Sequence, residues 1–170
     1  MITTENLNLK PVGEDDVDIY SQILSSNELT QYLPKGEAYT DEEIKCHVDS
    51  RIKHWQHGFG SYVIYLKSKP TIKIGYVGVE QCGDPTYSDI RYALLPKYQG
   101  FGYAFEAAKA VLAKTFEAGK HSKIYGVAIK DNIASLIVIK KLGMQLDSEA
   151  NLYGDTKGLE TYSITKVSFT

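Results

Sequence analysis

The spacing of apolar residues changes period several times along this chain, and each change predicts an element. Leu7 and Leu9 alternate with polar neighbours until Pro11-Val12-Gly13, so Leu7–Val12 is expected to be a short strand. Glu14-Asp15-Asp16 then put acids where the positive end of a helix dipole favours them, and Val17, Tyr20, Ile23 and Leu24 follow at helical spacing. Tyr32-Leu33-Pro34-Lys35-Gly36 breaks that helix. Thr40 stands three residues before Glu43, the spacing of a capping box, and predicts a second helix reaching His57-Gly58.

From Ser61 the period becomes two. Tyr62–Lys67, Ile72–Gln81 and Asp89–Leu95 read as strands, separated by turns at Lys69-Pro70 and Gly83-Asp84-Pro85-Thr86, which makes an antiparallel meander. Ala104, Ala107, Ala108, Val111, Leu112, Thr115 and Phe116 then mark a long helix that Gly119 stops. Strand Ile124–Ile129, helix Ile133–Leu142 closed by Gly143, strand Met144–Ala150 and strand Thr161–Phe169 complete the pattern. No repeat or linker interrupts it, so residues 1–170 are expected to form one α+β domain, with a mixed, mostly antiparallel central sheet flanked by helices.

Composition narrows the classes of function. The 170 residues carry Lys+Arg 19 against Asp+Glu 21, a net charge of −2, without the clustered cations that nucleic-acid binding requires. The opening MITTENLNLK has neither a basic n-region nor an apolar h-region, and no uncharged apolar run approaches ~18 residues, so no signal peptide or membrane span is expected. Two cysteines, Cys46 and Cys82, are too few for a disulfide framework; a reducing, cytoplasmic setting is the expectation.

The chemistry concentrates after the third strand of the meander, at Pro96-Lys97-Tyr98-Gln99-Gly100-Phe101-Gly102-Tyr103-Ala104. A strand that feeds a glycine-rich turn opening into a helix leaves N–H groups unpaired at the positive end of the helix dipole, a ready phosphate site. By itself the pattern also suits a plain helix entry with two permissive residues. The dinucleotide fingerprint G-x-G-x-x-G would need glycine at Phe105, and the P-loop pattern is absent. Gln99, Gly102 and Ala104 instead fit Q-x-x-G-x-A, the pyrophosphate signature of the GNAT superfamily of acetyl-CoA-dependent N-acetyltransferases, which this chain resembles. Thr4–Pro11, Gln31–Pro34, Asp89–Pro96, Gln99–Ala107, and Asn132–Ser135 followed by Lys140–Met144 are similar in order and spacing to its RimJ/RimL-like branch, which acetylates protein N-termini and assorted small amines.

The resemblance implies acetyl-CoA as cosubstrate, a pyrophosphate cradle at Gln99, Gly100, Phe101, Gly102, Tyr103 and Ala104, and a pantetheine arm lying between two splayed strands. A backbone N–H near the end of the strand before the loop, on Leu94 or Leu95, would meet the acetyl oxygen. Asn132 would contact pantetheine, although Asp131-Asn132 is equally a good N-cap sequence. The tyrosine that many members place seven residues after this Asn is here Ile139, but the branch's serine three residues after it is here Ser135, whose hydroxyl the resemblance makes the candidate acid for the leaving sulfur; taken alone, Ser135 is equally a first-turn helix serine satisfying local backbone. Asp89 is the candidate general base and Glu80 the second; either is alternatively a solvated strand carboxylate. His47, His54 and His57 lie along one side of the second helix without a metal-ligand pattern, so no metal is expected. Tyr32, Tyr39, Trp55 and Phe59 are candidates for lining the acceptor mouth, with core packing as the alternative for each. The expected reaction is direct attack by a protein N-terminal α-amine; a small-molecule amine acceptor and a non-catalytic acyl-CoA-binding module are the alternatives. A homodimer stays open.

Overall fold

A computed structural model describes residues 1–169. In chain order it has β1 (Ile2–Thr3), β2 (Leu7–Pro11), α1 (Val17–Leu24), α2 (Asn27–Thr30), α3 (Asp41–His54), β3 (Ser61–Leu66), β4 (Lys69–Gln81) and β5 (Ser88–Leu94). Then come α4 (Tyr103–Glu117), β6 (Lys123–Ile129), α5 (Ile133–Lys141), β7 (Gln145–Leu146) and β8 (Leu159–Thr165). The eight strands form one sheet in the order β1-β2-β3-β4-β5-β6-β8-β7. Every pairing is antiparallel except β5 with β6. The α+β fold with a mixed, mostly antiparallel sheet is therefore as the residue pattern implies.

Alternation along the strands sends two sets of side chains to opposite faces. On one face Leu7, Leu9, Ile64, Val77, Val79 and Ile90 pack under the Ala107, Ala108, Val111 and Leu112 stripe of α4. On the other, Val63 and Tyr76 meet Ile19, Tyr20, Ile23, Ile44 and Val48 of α1 and α3. Leu112 is fully buried, so Leu112→Ala would cost about 2–5 kcal/mol. The capping box at α3 forms as its sequence predicts: Glu43 N–H donates to Thr40 Oγ1 (3.2 Å), and Thr40 N–H to Glu43 Oε2 (2.8 Å).

Several boundaries differ from the sequence reading. β1 and the single turn α2, which Ser26 caps through Leu29 N–H (3.2 Å), are too short to carry a period. The first hairpin turns at residues 67–68, and Lys69-Pro70 begin β4. The register slips there, with Tyr65 opposite Lys73 but Leu66 opposite Lys69, and such a bulge tolerates a proline that has no N–H to offer the ladder. The strand expected over Met144–Ala150 shrinks to Gln145–Leu146, and the last strand ends at Thr165 rather than Phe169. Between them a polar loop runs out to residue 158.

Candidate active site

The seven residues of β5 pair with β4 along their whole length, from Gln81 opposite Ser88 to Gly75 opposite Leu94. With β6 they pair only at Asp89 opposite Tyr125 and Ile90 opposite Gly126. Beyond Ile90 the two parallel strands part and leave a gap in the sheet. Leu95 N–H donates to Ile74 O (2.9 Å), and Cys82 N–H at the other end donates to Tyr87 O (3.0 Å), which fixes the alternation of the antiparallel ladder. By that alternation the N–H groups of Tyr92 and Leu94 point away from β4, toward the gap. Of the two expected donors, Leu95 is therefore excluded because Ile74 already takes its N–H. Leu94 keeps the right direction, and Tyr92, which sequence reasoning missed, shares it.

At the open end of the gap lies the glycine loop. Gly100 (φ 83°) and Gly102 (φ 82°) are both left-handed, and a Cβ on either would meet nothing within 4 Å. Glycine is needed here for backbone conformation, not to relieve crowding inside the protein. Gly102 is the N-cap of α4 and has no side chain to cap it; the first helical bond runs from Glu106 N–H to Gly102 O (3.0 Å), so the N–H groups of Tyr103, Ala104 and Phe105 have no intrahelical acceptor. Glu106, the one acid of that first turn, is committed elsewhere, accepting from Thr4 Oγ1 (2.5 Å), Asn6 N–H (2.7 Å) and Asn6 Nδ2 (3.0 Å). The helix start thus keeps three N–H groups without intrahelical acceptors, which suits an incoming phosphate. Gln99 Nε2 donates to Leu94 O (3.0 Å) and ties the loop to the end of β5. Phe101 is 67% exposed and stacks on Tyr103 (5.6 Å, 21°).

Across the gap, α5 is capped by Asn132, whose Oδ1 accepts from Ser135 N–H (3.2 Å), so the N-cap reading of Asn132 holds. Tyr92 Oη donates to Ser135 O (3.0 Å) and sits 3.1 Å from Ser135 Oγ. Burial pushes the Tyr92 phenol up to about 12, so it stays protonated at neutral pH. Ile139 is a core residue, 1% exposed. The hydroxyls of Ser135 and Tyr92 therefore form a pair beside the gap.

The opposite face of the sheet holds the acids. Glu80 and Asp89 are not the solvated carboxylates that charge on a strand suggests; both are buried and face each other across the β4–β5 ladder. Arg91, on the same face two residues after Asp89, separates their charges: its Nε donates to Asp89 Oδ1 (2.8 Å) and its Nη1 to Glu80 Oε2 (3.0 Å). Ser61 Oγ donates to Glu80 Oε1 (2.6 Å), and the Arg51 guanidinium lies 3.3 Å from the same oxygen. Tyr153, from the 147–158 loop, donates its hydroxyl to Asp89 Oδ2 and accepts from Arg91 Nη2 (3.0 Å). Burial pushes the Asp89 carboxyl up, and the Arg91 charge and the Tyr153 hydrogen bond offset this only in part. At Glu80 burial pushes the same way, but Arg51 and Arg91 outweigh it and hold the carboxyl below its usual range. Of the two, Asp89 is the stronger proton acceptor.

The remaining candidates fall into structural roles. His54 Nε2 accepts from Gln81 N–H (2.9 Å), which leaves its Nδ1 proton to donate to Phe59 O (3.0 Å). Burial, together with the nearby Arg51 and Arg91 charges, lowers His47 to about 4. No metal-binding group of His, Cys, Asp or Glu occurs among the described residues. Trp55 donates to Ser61 O (3.0 Å) and packs edge-on against Tyr62, while Phe59 is 6% exposed. These two anchor the core instead of lining a mouth; Tyr32 is exposed and Tyr39 half-buried, so both remain available there. Cys46 and Cys82 are both free thiols.

The sheet splits beside a glycine loop at a helix start, with a hydroxyl pair on one side and a buried carboxylate on the other, an arrangement suited to acyl transfer. The chain belongs to the GNAT acetyltransferase family: the family model "Acetyltransferase (GNAT) domain" matches residues 6–145. It is similar to the uncharacterized N-acetyltransferase YnaD of Bacillus subtilis (strain 168), 28% identical over 144 residues, 85% of this chain and 82% of that one. Its fold matches the Salmonella typhimurium acetyl transferase that modifies the N-terminal serine of ribosomal protein L7/L12, with a TM-score of 0.76, 21% identity and coverage of 95% and 96% of the two chains. It also matches the Vibrio cholerae spermidine N-acetyltransferase in complex with CoA and spermine, with a TM-score of 0.78, 15% identity and coverage of 97% and 98%. The protein is an N-acetyltransferase of the GNAT class, and no described helix is long and apolar enough to cross a membrane.

Proposed function

We propose that this chain, as in the RimJ/RimL-like branch, transfers acetyl from acetyl-CoA to a protein N-terminal α-amine by direct attack. The observation that carries the acceptor class is the charge balance of the acceptor face. Glu80 and Asp89 are matched by Arg51 and Arg91, so the site offers no net negative charge to concentrate a polycation such as spermidine. Proton arithmetic points the same way. At pH 7 an α-amine of pKa ~7.7–8.0 is roughly a tenth neutral, whereas a lysine at ~10.4 is neutral only to a few parts in ten thousand, so one modest base suits the former.

Acetyl-CoA supplies an acyl carbon activated by a thiol leaving group whose pKa should lie near the cysteine value of about 8.5. The N–H groups of Tyr103, Ala104 and Phe105, with Gly100 and Gly102 shaping the loop, would hold the pyrophosphate. Leu94 N–H and Tyr92 N–H would polarise the acetyl oxygen from the edge of β5. Ser135 would turn its hydroxyl proton from Tyr92 Oη to the departing sulfur, while Tyr92 fixes the residue through its bond to Ser135 O, and Asp89 would accept the proton the amine sheds. Neither cysteine lies in the loop or the Asn132–Ser135 turn, and no covalent acyl-enzyme is invoked.

The test has two readings. Acetyl-CoA at 100 times its Kd should stabilise the fold by about 2.7 kcal/mol in a thermal or urea melt. A screen of Ala-, Ser- and Met-initiated peptides against spermidine, followed by CoA release, should then favour the peptides. A melt unmoved by millimolar acetyl-CoA refutes the cosubstrate assignment. Turnover of spermidine alone moves the acceptor to small amines, and binding without turnover of any amine leaves an acyl-CoA-binding module.

A further inference from the structure

The carboxylate assigned as base is poorly placed to touch an acceptor directly. Asp89 is 4% exposed, its Oδ1 is taken by Arg91 and its Oδ2 by the Tyr153 hydroxyl. Tyr153, by contrast, is 38% exposed and comes from the loop over residues 147–158, with its ring tip on the buried acid. The phenol oxygen accepts from Arg91 Nη2 (3.0 Å), and its second lone pair meets only the weak Sγ–H donor of Cys82 (3.6 Å), which an amine N–H displaces. A partly exposed tyrosine whose only hydroxyl proton already points at a buried carboxylate is the arrangement of a proton relay.

We infer that Tyr153 touches the acceptor amine and passes its proton to Asp89. The inference rests on the acetyltransferase reading above and on Asp89 as its base. As the amine nitrogen gives up a proton to Tyr153 Oη, the Oη–H bond breaks and that hydrogen moves to Asp89 Oδ2. The phenol is regenerated, the nitrogen keeps the electron pair it needs for attack, and Asp89 ends as the neutral acid. Arg91 serves both partners, fixing Asp89 through Nε and the phenol oxygen through Nη2. The burial that raises the Asp89 carboxyl makes it a better final acceptor than a solvated carboxylate, and the phenol, itself pushed upward by burial and the adjacent Asp89 charge, does not remain ionised. Separated by 64 residues in sequence, the two groups meet only because the short β7 releases a long loop back over the end of the β4–β5 ladder.

Tyr153→Phe keeps the ring and removes the relay. With an N-terminal peptide that the wild type accepts, kcat/KM at pH 7 should fall at least tenfold while the acetyl-CoA thermal shift is unchanged. The defect should shrink as pH rises through the amine pKa, and it should be small for a weakly basic amine already neutral at pH 7. Asp89→Asn/Tyr153→Phe should be no worse than Asp89→Asn, since both remove one path. In the protein without substrate, carboxyl NMR titration should show the Asp89 pKa rising further in Tyr153→Phe, because a hydrogen bond that favours the carboxylate has gone. A full rate for Tyr153→Phe at pH 7, a defect independent of pH, or multiplicative losses in the double variant would each overturn the relay while leaving the transferase standing. A wild type that binds acetyl-CoA and acetylates no amine overturns both.

Discussion

His47 should make this fold acid-sensitive in a window where most of its carboxylates are still ionised. The ring lies on α3 between Tyr20 and Tyr39 (centroids 6.0 Å from each), its Nε2 has no hydrogen-bond partner, and Arg51 follows one turn later. A proton there would add a third cation beside Arg51 and Arg91 and give Nε2 a hydrogen with no acceptor. The folded value of about 4 lies below the unfolded ~6.5, so the neutral ring is favoured by folding. Its stabilisation is fully present above ~6.5 and is lost as pH falls toward 4. By proton linkage the loss between pH 7 and pH 5 is about 2 kcal/mol from this residue alone. His54 is lowered by burial and adds in the same sense. With a urea m-value of roughly 2 kcal/mol/M, the wild-type midpoint should drop by about 1 M over that interval on account of His47. His47→Gln removes the titration and should flatten the slope by that amount, whatever it does to absolute stability. Urea unfolding of both proteins at pH 5, 6 and 7 provides the comparison. Parallel midpoint-against-pH lines would refute the claim that burial holds this ring neutral.

Two further outcomes test the cofactor side. Gly102→Val forces a left-handed position on a β-branched residue and places its side chain in the open space before the helix start, so acetyl-CoA affinity should fall at least tenfold in a calorimetric titration, with the apo fold retained; wild-type affinity would show that the loop is not the phosphate cradle. Ser135→Ala should lower kcat at least tenfold, about 1.4 kcal/mol, with little change in acetyl-CoA affinity, and Tyr92→Phe should follow it in direction because the serine hydroxyl loses its neighbour; an unchanged kcat for Ser135→Ala removes it as the acid.

What could be read in the sequence was local. The Thr40–Glu43 box and the glycine loop are decided within a few residues by donors that need acceptors and by φ values only glycine adopts easily, so both stand where their spacing placed them. What escaped were the partners. Charge on a strand reads as solvent-facing, yet Glu80 and Asp89 lie directly opposite each other, an arrangement that like charges destabilise unless a cation intervenes. Arg91 supplies one, and a trace of it was legible: Asp89 and Arg91 are two apart on one strand and must share a face. Arg51 and Tyr153 left no such trace. The first sits on a helix read for its apolar stripe, and the second in a polar stretch with no period, so only the closed sheet brings them to the carboxylates. Leu94 and Leu95 show the same limit at backbone scale. Their side chains are equally apolar, and the sequence cannot tell which N–H is free until the register of β4 against β5 gives one to Ile74 and turns the other toward the gap. At this position the free backbone donor thus depends less on which residue is present than on which N–H the ladder leaves without a partner.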